Sequence, residues 1–242
     1  MRIKLTLAYD GTCYHGWQVQ PDTETVQGNL EKALEELLGQ RVKTYVSGRT
    51  DEGVSAYNQV VHFDCQTTIP PEKIYIALNF KLPPEIRAKK SEQVADDFNA
   101  RYDVVKKTYR YRTYVSDVDD PTDKFALRLD KKPDVALMQK CAAKLLGEHD
   151  FKAFCAAKAD TETSVRTIYR AEVIENGNRI DFVFTGSGFL YNMVRIMVGT
   201  LIFIGLSVIE EDCIEKAFQT LDRKVLGKTV KPQGLFMESV EY

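Results

Sequence analysis

The fold class is decided by residues 167–205, TIYRAEVIENGNRIDFVFTGSGFLYNMVRIMVGTLIFIG. Two stretches rich in apolar residues, Thr167–Ile174 and Arg179–Thr185, flank Asn176-Gly177, a dipeptide typical of β-hairpin turns. The apolar stretch Leu190–Gly205 follows this hairpin and predicts a buried helix. Strands joined both by a hairpin and by helices indicate an α+β fold with a mixed, mostly antiparallel sheet.

Hydrophobic periodicity extends this interpretation to the rest of the chain. The first residues alternate apolar and polar and predict a half-buried strand, whereas Thr25–Gly39 has an apolar stripe at helical spacing with Gly39 as the C-cap. We place a domain boundary near 103–106, which gives an N-terminal domain of residues 1–104 and a C-terminal domain of residues 105–242. The other predicted elements are strands at Lys43–Ser47, Gln59–Cys65, Thr108–Val115 and Leu235–Tyr242, and helices at Glu72–Phe80, Asp134–Gly147 and near Glu210–Thr220.

Composition indicates a soluble, globular, cytoplasmic protein. The 242 residues are 44% hydrophobic and carry 33 Lys and Arg against 35 Asp and Glu, so any phosphate-binding surface must be a local patch. The five cysteines form no C-x-x-C pair and the three histidines have no metal-binding spacing, so no metal site is indicated. The longest apolar run, Ile196–Leu206, is about half of the ~20 residues needed to cross a bilayer, so no membrane association is expected.

The loop SGRTDEGVSA, Ser47–Ala56, is the first candidate catalytic segment. Its glycines permit backbone conformations that other residues avoid, and they let a ligand approach closely. We interpret Asp51 as a nucleophile or base presented by this loop; the alternative is a polar hairpin loop with an incidental carboxylate. Asp51 and Glu52 are adjacent and do not both point at one substrate atom, which favours a single working carboxylate.

The run Lys106–Arg112, KKTYRYR, is the second candidate segment. In a strand, Tyr109 and Tyr111 share one face, while Arg110 and Arg112 share the other. Basic residues interleaved with aromatic ones are typical of phosphate contact combined with base stacking. The alternative is a solvated sheet face whose tyrosines close the core.

Arg195 lies inside the apolar helix predicted for Leu190–Gly205. A buried arginine needs a carboxylate or several acceptors, because an unpaired buried charge is costly. Asp51 is one candidate partner; the alternative places Arg195 on an exposed edge of the helix near Asn192.

Nine short motifs occur in order along the chain: YDGTCYHGWQVQ (Tyr9–Gln20), TVQG (Thr25–Gly28), GRTDEGV (Gly48–Val54), QVVHF (Gln59–Phe63), FNARY (Phe98–Tyr102), YRY (Tyr109–Tyr111), GEHDFKAF (Gly147–Phe154), GFLYNMVRIMVG (Gly188–Gly199) and GLFMESVEY (Gly234–Tyr242). Through these motifs the chain resembles the tRNA pseudouridine synthase A family over essentially its whole length. It departs from the family pattern at Ser55 and Asn99, and in residues 228–233, and these departures bear on RNA contacts rather than on the reaction.

The resemblance implies an isomerase that converts uridine to pseudouridine at positions 38, 39 and 40 in the anticodon arm of tRNA, with the target base flipped out. The reaction needs no cofactor and no metal. The resemblance also implies two similar α+β halves that share a central mixed sheet, with helices packed on one face and the active cleft between the halves. A homodimer that binds tRNA is expected.

Residue roles follow from the same resemblance. Asp51 matches the catalytic aspartate, which attacks C1′ or removes the 2′ proton. Tyr109 matches a tyrosine that stacks on the target uracil and whose hydroxyl helps to remove the C5 proton, while Arg195 forms a salt bridge with Asp51. Arg49 fills the gap left by the extruded nucleotide or holds the flipped conformation through a phosphate contact, and the basic run contributes substrate contacts through Lys106 and Arg110.

Two other functions remain open from the sequence. A noncatalytic tRNA-binding chaperone on the same fold would keep the basic run but would not need Asp51, Tyr109 and Arg195, which are all present. A carboxylate-dependent nucleoside hydrolase would need a second convergent acid for the leaving group, and the sequence offers no good candidate pair.

Overall fold

The computed structural model describes residues 1–156 and 163–242. The strands are β1 (Arg2–Tyr9), β2 (Tyr45–Val46), β3 (Ser55–Asp64), β4 (Ile86–Val94), β5 (Lys106–Val115), β6 (Leu127–Leu129), β7 (Gly147–Asp150), β8 (Val165–Asn176), β9 (Arg179–Gly186) and β10 (Leu235–Glu241). The α-helices are α1 (Val26–Leu38), α2 (Ile74–Leu78), α3 (Val135–Ala142), α4 (Met193–Gly205) and α5 (Cys213–Thr220).

These elements form two compact units, Met1–Val105 together with Phe236–Tyr242, and Lys106–Leu235. In the first unit the strand order is β4-β1-β3-β10, β2 also pairs with β3, and the β3–β10 pair is parallel. In the second unit the order is β5-β9-β8-β7, and the short β6 pairs in parallel with β5. The remaining pairs within each unit are antiparallel, which confirms the α+β class with mixed, mostly antiparallel sheet.

The first unit follows its sequence periodicity closely. Every second residue of β1 is buried, because one face of the strand packs into the core while the other face carries its polar side chains. The Thr25 side chain accepts a hydrogen bond from Gly28 N–H and caps α1, and Gly39 ends the helix in the left-handed conformation with φ 66°. The predicted helix and its C-cap are therefore confirmed.

Helix α4 belongs to the second unit and packs against α3. Most of its thirteen residues are buried, which explains why they are apolar around nearly the whole circumference. Among residues 1–156 and 163–242, no helix combines the length and apolar character needed to span a bilayer.

Gly199, in the middle of α4, is expected to tolerate no larger side chain. A Cβ atom at this position would lie 1.8 Å from the carbonyl oxygen of Lys228, a backbone atom that cannot rotate away. Alanine would gain about 1 kcal/mol in helix propensity, but overpacking of a core costs about 1–3 kcal/mol or more. We therefore expect Gly199→Ala to lower the thermal midpoint, by roughly 2–4 °C for each kcal/mol of net destabilisation, measured by circular dichroism. An unchanged or raised midpoint would contradict this packing.

The structure corrects several sequence-based boundaries. Strand β3 begins at Ser55 rather than Gln59, which leaves a shorter loop after β2. The predicted helix Asp134–Gly147 ends at Ala142 and continues as one turn of 3₁₀ helix. The β8–β9 hairpin is confirmed, but its turn residues are Gly177 and Asn178, because Asn176 pairs with Arg179.

Strands β4, β6 and β7 were not predicted. β6 and β7 are three and four residues long, too short to show a period. β4 is an edge strand with exposed charged residues, and its register against β1 shifts between Thr6 and Leu7, which interrupts the alternation.

Candidate active site

The loop between β2 and β3 presents Arg49 and Asp51 on either side of an inward-facing threonine. Thr50 is buried, with 6% of its surface exposed, whereas Arg49 is exposed and Asp51 is half-buried. The loop therefore has a buried anchor between two side chains that are accessible to a ligand.

A segment of the first unit, residues 11–17, holds this loop through backbone contacts. Trp17 N–H donates to the Thr50 carbonyl at 3.0 Å, and Gly53 N–H donates to the Tyr14 carbonyl at 3.4 Å. A Cβ atom on Gly11 would lie 1.9 Å from the Val54 carbonyl oxygen, so only glycine allows this approach. The loop is therefore fixed by the motif that follows β1.

Buried hydrogen bonds support the loop from the core side. Gln59 Nε2 donates to the Gly48 carbonyl at 2.9 Å and to the Tyr9 hydroxyl oxygen at 3.2 Å, and Tyr9 shares a hydrogen bond of 2.8 Å with Thr50 Oγ1. Burial raises the pKa of Tyr9 to about 12, and the bonds with Thr50 and Gln59 offset only part of the effect. The Tyr9 phenol is therefore neutral at physiological pH.

Ser55 and Asn99, two of the positions where the sequence analysis places departures from the family pattern, both make local hydrogen bonds. The Ser55 hydroxyl, at the start of β3, accepts from Gly11 N–H at 3.0 Å and ties the end of the loop to the 11–17 segment. Asn99 Oδ1 accepts from Arg101 N–H at 2.9 Å and from Tyr102 N–H at 3.3 Å, which closes a turn before β5. In this chain, both residues therefore stabilise backbone turns.

Tyr109 lies on β5 in the second unit, opposite Phe184 on β9. Its ring meets the Phe189 ring edge to face, with centroids 5.1 Å apart, and 8% of the residue is exposed. An edge-to-face neighbour restrains the plane of the Tyr109 ring, and because the residue is largely buried, a base can stack only on the small part that is exposed.

The basic residues of the same strand have different surroundings. Arg110 Nη1 donates to Asp181 Oδ2 at 3.0 Å, and both side chains are about one quarter exposed. Lys106 is half-buried at the first position of β5. Arg110 thus has a carboxylate partner, Asp181, within its own unit. A phosphate would contact Arg110 while this ion pair is present or would replace Asp181 in it.

Arg195 lies in the first turn of α4, in the second unit, and is half-buried. Its Nε donates to the Val230 carbonyl at 2.8 Å, and its Nη1 donates to Asn192 Oδ1 at 2.7 Å. Burial raises the pKa of the nearby Tyr111 phenol, and the positive charge of Arg195 lowers it in part. Two bonds from different nitrogen atoms fix the orientation of the guanidinium plane.

The candidate residues therefore fall into two groups. Asp51 and Arg49 share one loop of the first unit, while Lys106, Tyr109 and Arg110 share β5 in the second unit, which also holds Arg195. The sequence interpretation did not include the supporting residues, among them Tyr9 and Gln59, although both lie in motifs that carry the family resemblance. In the part of the chain that the structure describes, no group of three or more His, Cys, Asp and Glu side chains could hold a metal ion.

Comparison with known families decides what kind of protein this is. A family model described as tRNA pseudouridine synthase matches residues 6–103 and 141–242. The chain belongs to this family. This tRNA pseudouridine synthase is accordingly an isomerase, and the match includes both the Asp51 loop and Arg195 on α4.

Relatives match this pseudouridine synthase along its whole length. A protein of Exiguobacterium sibiricum named tRNA pseudouridine synthase A is 46% identical over 242 residues, which cover 100% of this chain and 96% of the relative. A protein of the same name from Bacillus subtilis is 42% identical over 245 residues, which cover 100% and 99%. A solved structure, described as the archaeal box H/ACA sRNP Nop10-Cbf5 complex, matches 83% of this chain and 44% of that chain at 13% identity, with a TM-score of 0.35.

Proposed function

We propose that this synthase isomerises uridine at positions 38, 39 and 40 in the anticodon arm of tRNA, with Asp51 as the nucleophile. The observation that carries the proposal is the placement of Asp51. Its carboxylate is half-buried, on a loop fixed by backbone contacts, and it directly follows a buried anchor at Thr50. The three substrate positions come from the resemblance to pseudouridine synthase A, the name that the matched relatives carry.

The proposed reaction is an isomerisation and needs no donor of a chemical group. The bond between N1 and C1′ breaks, the uracil turns over, and a bond forms between C5 and C1′. A proton leaves C5 and a proton is gained at N1, so substrate and product have the same atoms. The chain therefore has to supply a nucleophile, a base and a means of holding the flipped nucleotide.

Asp51 is suited to the first of these tasks. A carboxylate that attacks C1′ forms a covalent intermediate and divides a difficult step into two easier ones. The other route is removal of the 2′ proton by the same carboxylate, which leaves a glycal. Both routes need the ionised form of Asp51, and a salt bridge with Arg195 favours that form.

Arg195 and Arg49 have supporting roles in the proposal. The bonds of Arg195 to the Val230 carbonyl and to Asn192 hold its guanidinium in one orientation, which suits a salt bridge to a carboxylate. Arg49 is exposed two residues before Asp51, so it can contact a phosphate of the flipped nucleotide. Extrusion of a base costs a few kcal/mol of unstacking, and such contacts offset part of that cost.

Residues of β5 complete the proposed site. The Tyr109 ring, held by Phe189, stacks on the uracil, and its hydroxyl removes the C5 proton after the base has reattached. Lys106 and Arg110 contact the RNA backbone from the same strand. We also propose a cytoplasmic homodimer, because a chain of net charge −2 gains a larger basic surface by combining two local patches.

Mapping of pseudouridine in a tRNA transcript tests the proposed function. After incubation with the protein, carbodiimide modification and primer extension should show pseudouridine at positions 38, 39 or 40, wherever the transcript has uridine. A transcript with cytidine at all three positions should remain unmodified. Conversion confined to other positions would overturn the assignment, and tight tRNA binding without conversion would favour the noncatalytic chaperone.

A further inference from the structure

A continuous buried hydrogen-bond network lies beneath the Asp51 loop, and the proposed mechanism does not use it. We propose that three of its side chains, Tyr9, Thr50 and Gln59, are positioning residues that set the direction of Arg49 and Asp51. The inference rests on the proposed function, because it assigns these residues a role in the proposed reaction. It goes beyond that function because all three side chains are buried and act through their neighbours in the loop.

Gln59 is the centre of the network and is completely buried. Its Oε1 accepts from Ser47 Oγ at 2.7 Å and from Val60 N–H at 3.1 Å. Its Nε2 donates to the Gly48 carbonyl at 2.9 Å and to the Tyr9 oxygen at 3.2 Å. A carboxamide has two acceptor lone pairs and two donor hydrogens, so all four are used and the side chain has one possible orientation.

Tyr9 transmits this orientation to Thr50. Its hydroxyl, which is protonated at neutral pH, shares a 2.8 Å hydrogen bond with Thr50 Oγ1. The Thr50 carbonyl is held separately by Trp17 N–H at 3.0 Å. Thr50 is therefore fixed through both its side chain and its backbone, and the network also binds the carbonyl of Gly48.

The positions of these anchors in the sequence suggest their purpose. Gly48 and Thr50 flank Arg49, and Thr50 directly precedes Asp51. The side chains of Arg49 and Asp51 thus extend from a backbone segment whose buried side is held by hydrogen bonds at Gly48 and Thr50. Rotation of the loop about its long axis would require Thr50 Oγ1 to leave its partner in a buried site, where an unpaired polar group costs about 1–3 kcal/mol.

A positioning role and a merely structural role differ in the expected losses of stability and of reaction rate. The loss of one buried hydroxyl costs about 1–3 kcal/mol, which leaves a domain of ordinary stability folded. A displacement of about 1 Å at a reacting group can lower a rate by about 10²-fold. A positioning role therefore predicts a fall in rate in a protein that remains folded and still binds tRNA.

Thr50→Val tests this, because valine has nearly the same shape and lacks only the hydroxyl. We expect the single-turnover rate of tritium release from tRNA labelled at uracil C5 to fall about 10- to 100-fold. The Kd for tRNA should change by less than about threefold, because Arg49 is only one of several proposed phosphate contacts and the others are unaffected. Thr50→Ser, which keeps the hydroxyl, should recover most of the rate, and Tyr9→Phe is the second test if Thr50→Val does not fold.

Thr113→Val is the matched control. Thr113 is completely buried on β5, and its Oγ1 donates to the Ile180 carbonyl at 2.7 Å, so the control also removes one buried hydroxyl. Its thermal midpoint should fall about as far as that of Thr50→Val, while its rate stays near that of the wild type. Equal rates for the two variants, or a Thr50→Ser variant as slow as Thr50→Val, would overturn the positioning role.

The failure of this inference can be distinguished from the failure of the proposed function. If the wild type releases no tritium, or if Asp51→Asn releases it at the wild-type rate, the proposed function fails and the positioning role falls with it. If the wild type is active and Asp51→Asn is inactive while Thr50→Val is normal, only the positioning role fails.

Discussion

Asp51→Asn is expected to lower the rate of pseudouridine formation by about 10³-fold or more, which corresponds to about 4 kcal/mol of activation free energy. Asparagine has nearly the same shape as aspartate, but it can neither attack C1′ as an anion nor accept the 2′ proton. Single-turnover release of tritium from tRNA labelled at uracil C5 measures the effect. Binding of tRNA, measured separately by filter retention, should change little.

Glu52→Gln provides the control for this experiment. Glu52 is the adjacent carboxylate, it is exposed, and its substitution removes the same charge from the same loop. We expect its rate to stay within about twofold of the wild type, because carboxylates of adjacent residues do not point at the same atom and exposed charges contribute little. If both variants lost activity equally, the charge of the loop would matter rather than the carboxylate of Asp51.

Tyr109→Phe should slow the release of the C5 proton by about 10²- to 10⁴-fold, the usual contribution of a general base. Phenylalanine preserves the ring and its contact with Phe189, so stacking on the uracil should be retained. The defect should therefore appear in the last step, with cleavage of the bond between N1 and C1′ less affected. Rapid quench of a single turnover resolves the two steps. Cleavage of the bond between N1 and C1′ and release of tritium from C5 are measured separately in the quenched samples.

Tyr114→Phe is the matched control on the same strand. Its hydroxyl accepts a hydrogen bond from Asp120 N–H at 3.0 Å, so this variant also loses one phenolic hydroxyl from β5. A modest loss of stability with an unchanged rate is expected. A rate for Tyr109→Phe equal to that of Tyr114→Phe would remove the Tyr109 hydroxyl from the mechanism.

The sequence predicted best those elements whose own residues determine their structure. Helix α1 has a cap at Thr25 and a left-handed glycine at its end, and β1 alternates without interruption, so both were found with nearly correct limits. Strand β4 was missed because it is defined by its partner β1, and a bulge breaks its alternation. Hydrophobic periodicity shows that one face of a strand is buried, but it does not show which strands pair with each other.

Some residues of the candidate site could be predicted from the sequence and others could not, because a local pattern does not show which distant groups meet in the fold. Asp51 stands out because glycines flank it in a polar loop, and a basic and aromatic run marks Tyr109. The role of Gln59 was not apparent, because a glutamine within an apolar strand shows no sign of which buried groups it meets. Its partners Tyr9 and Ser47 are distant in sequence, and only folding brings their hydroxyl groups to its amide.

Strand β10 has a consequence for the order in which the protein forms during its synthesis. Phe236 and Met237 pair in parallel with Ser55 and Ala56, at the end of the Asp51 loop, so the first unit contains the last residues of this sequence. On the ribosome this unit cannot be completed while the second half is still being translated, although N-terminal domains generally fold first. The sheet position beside β3 therefore stays vacant until β10 has been synthesised and has left the ribosome.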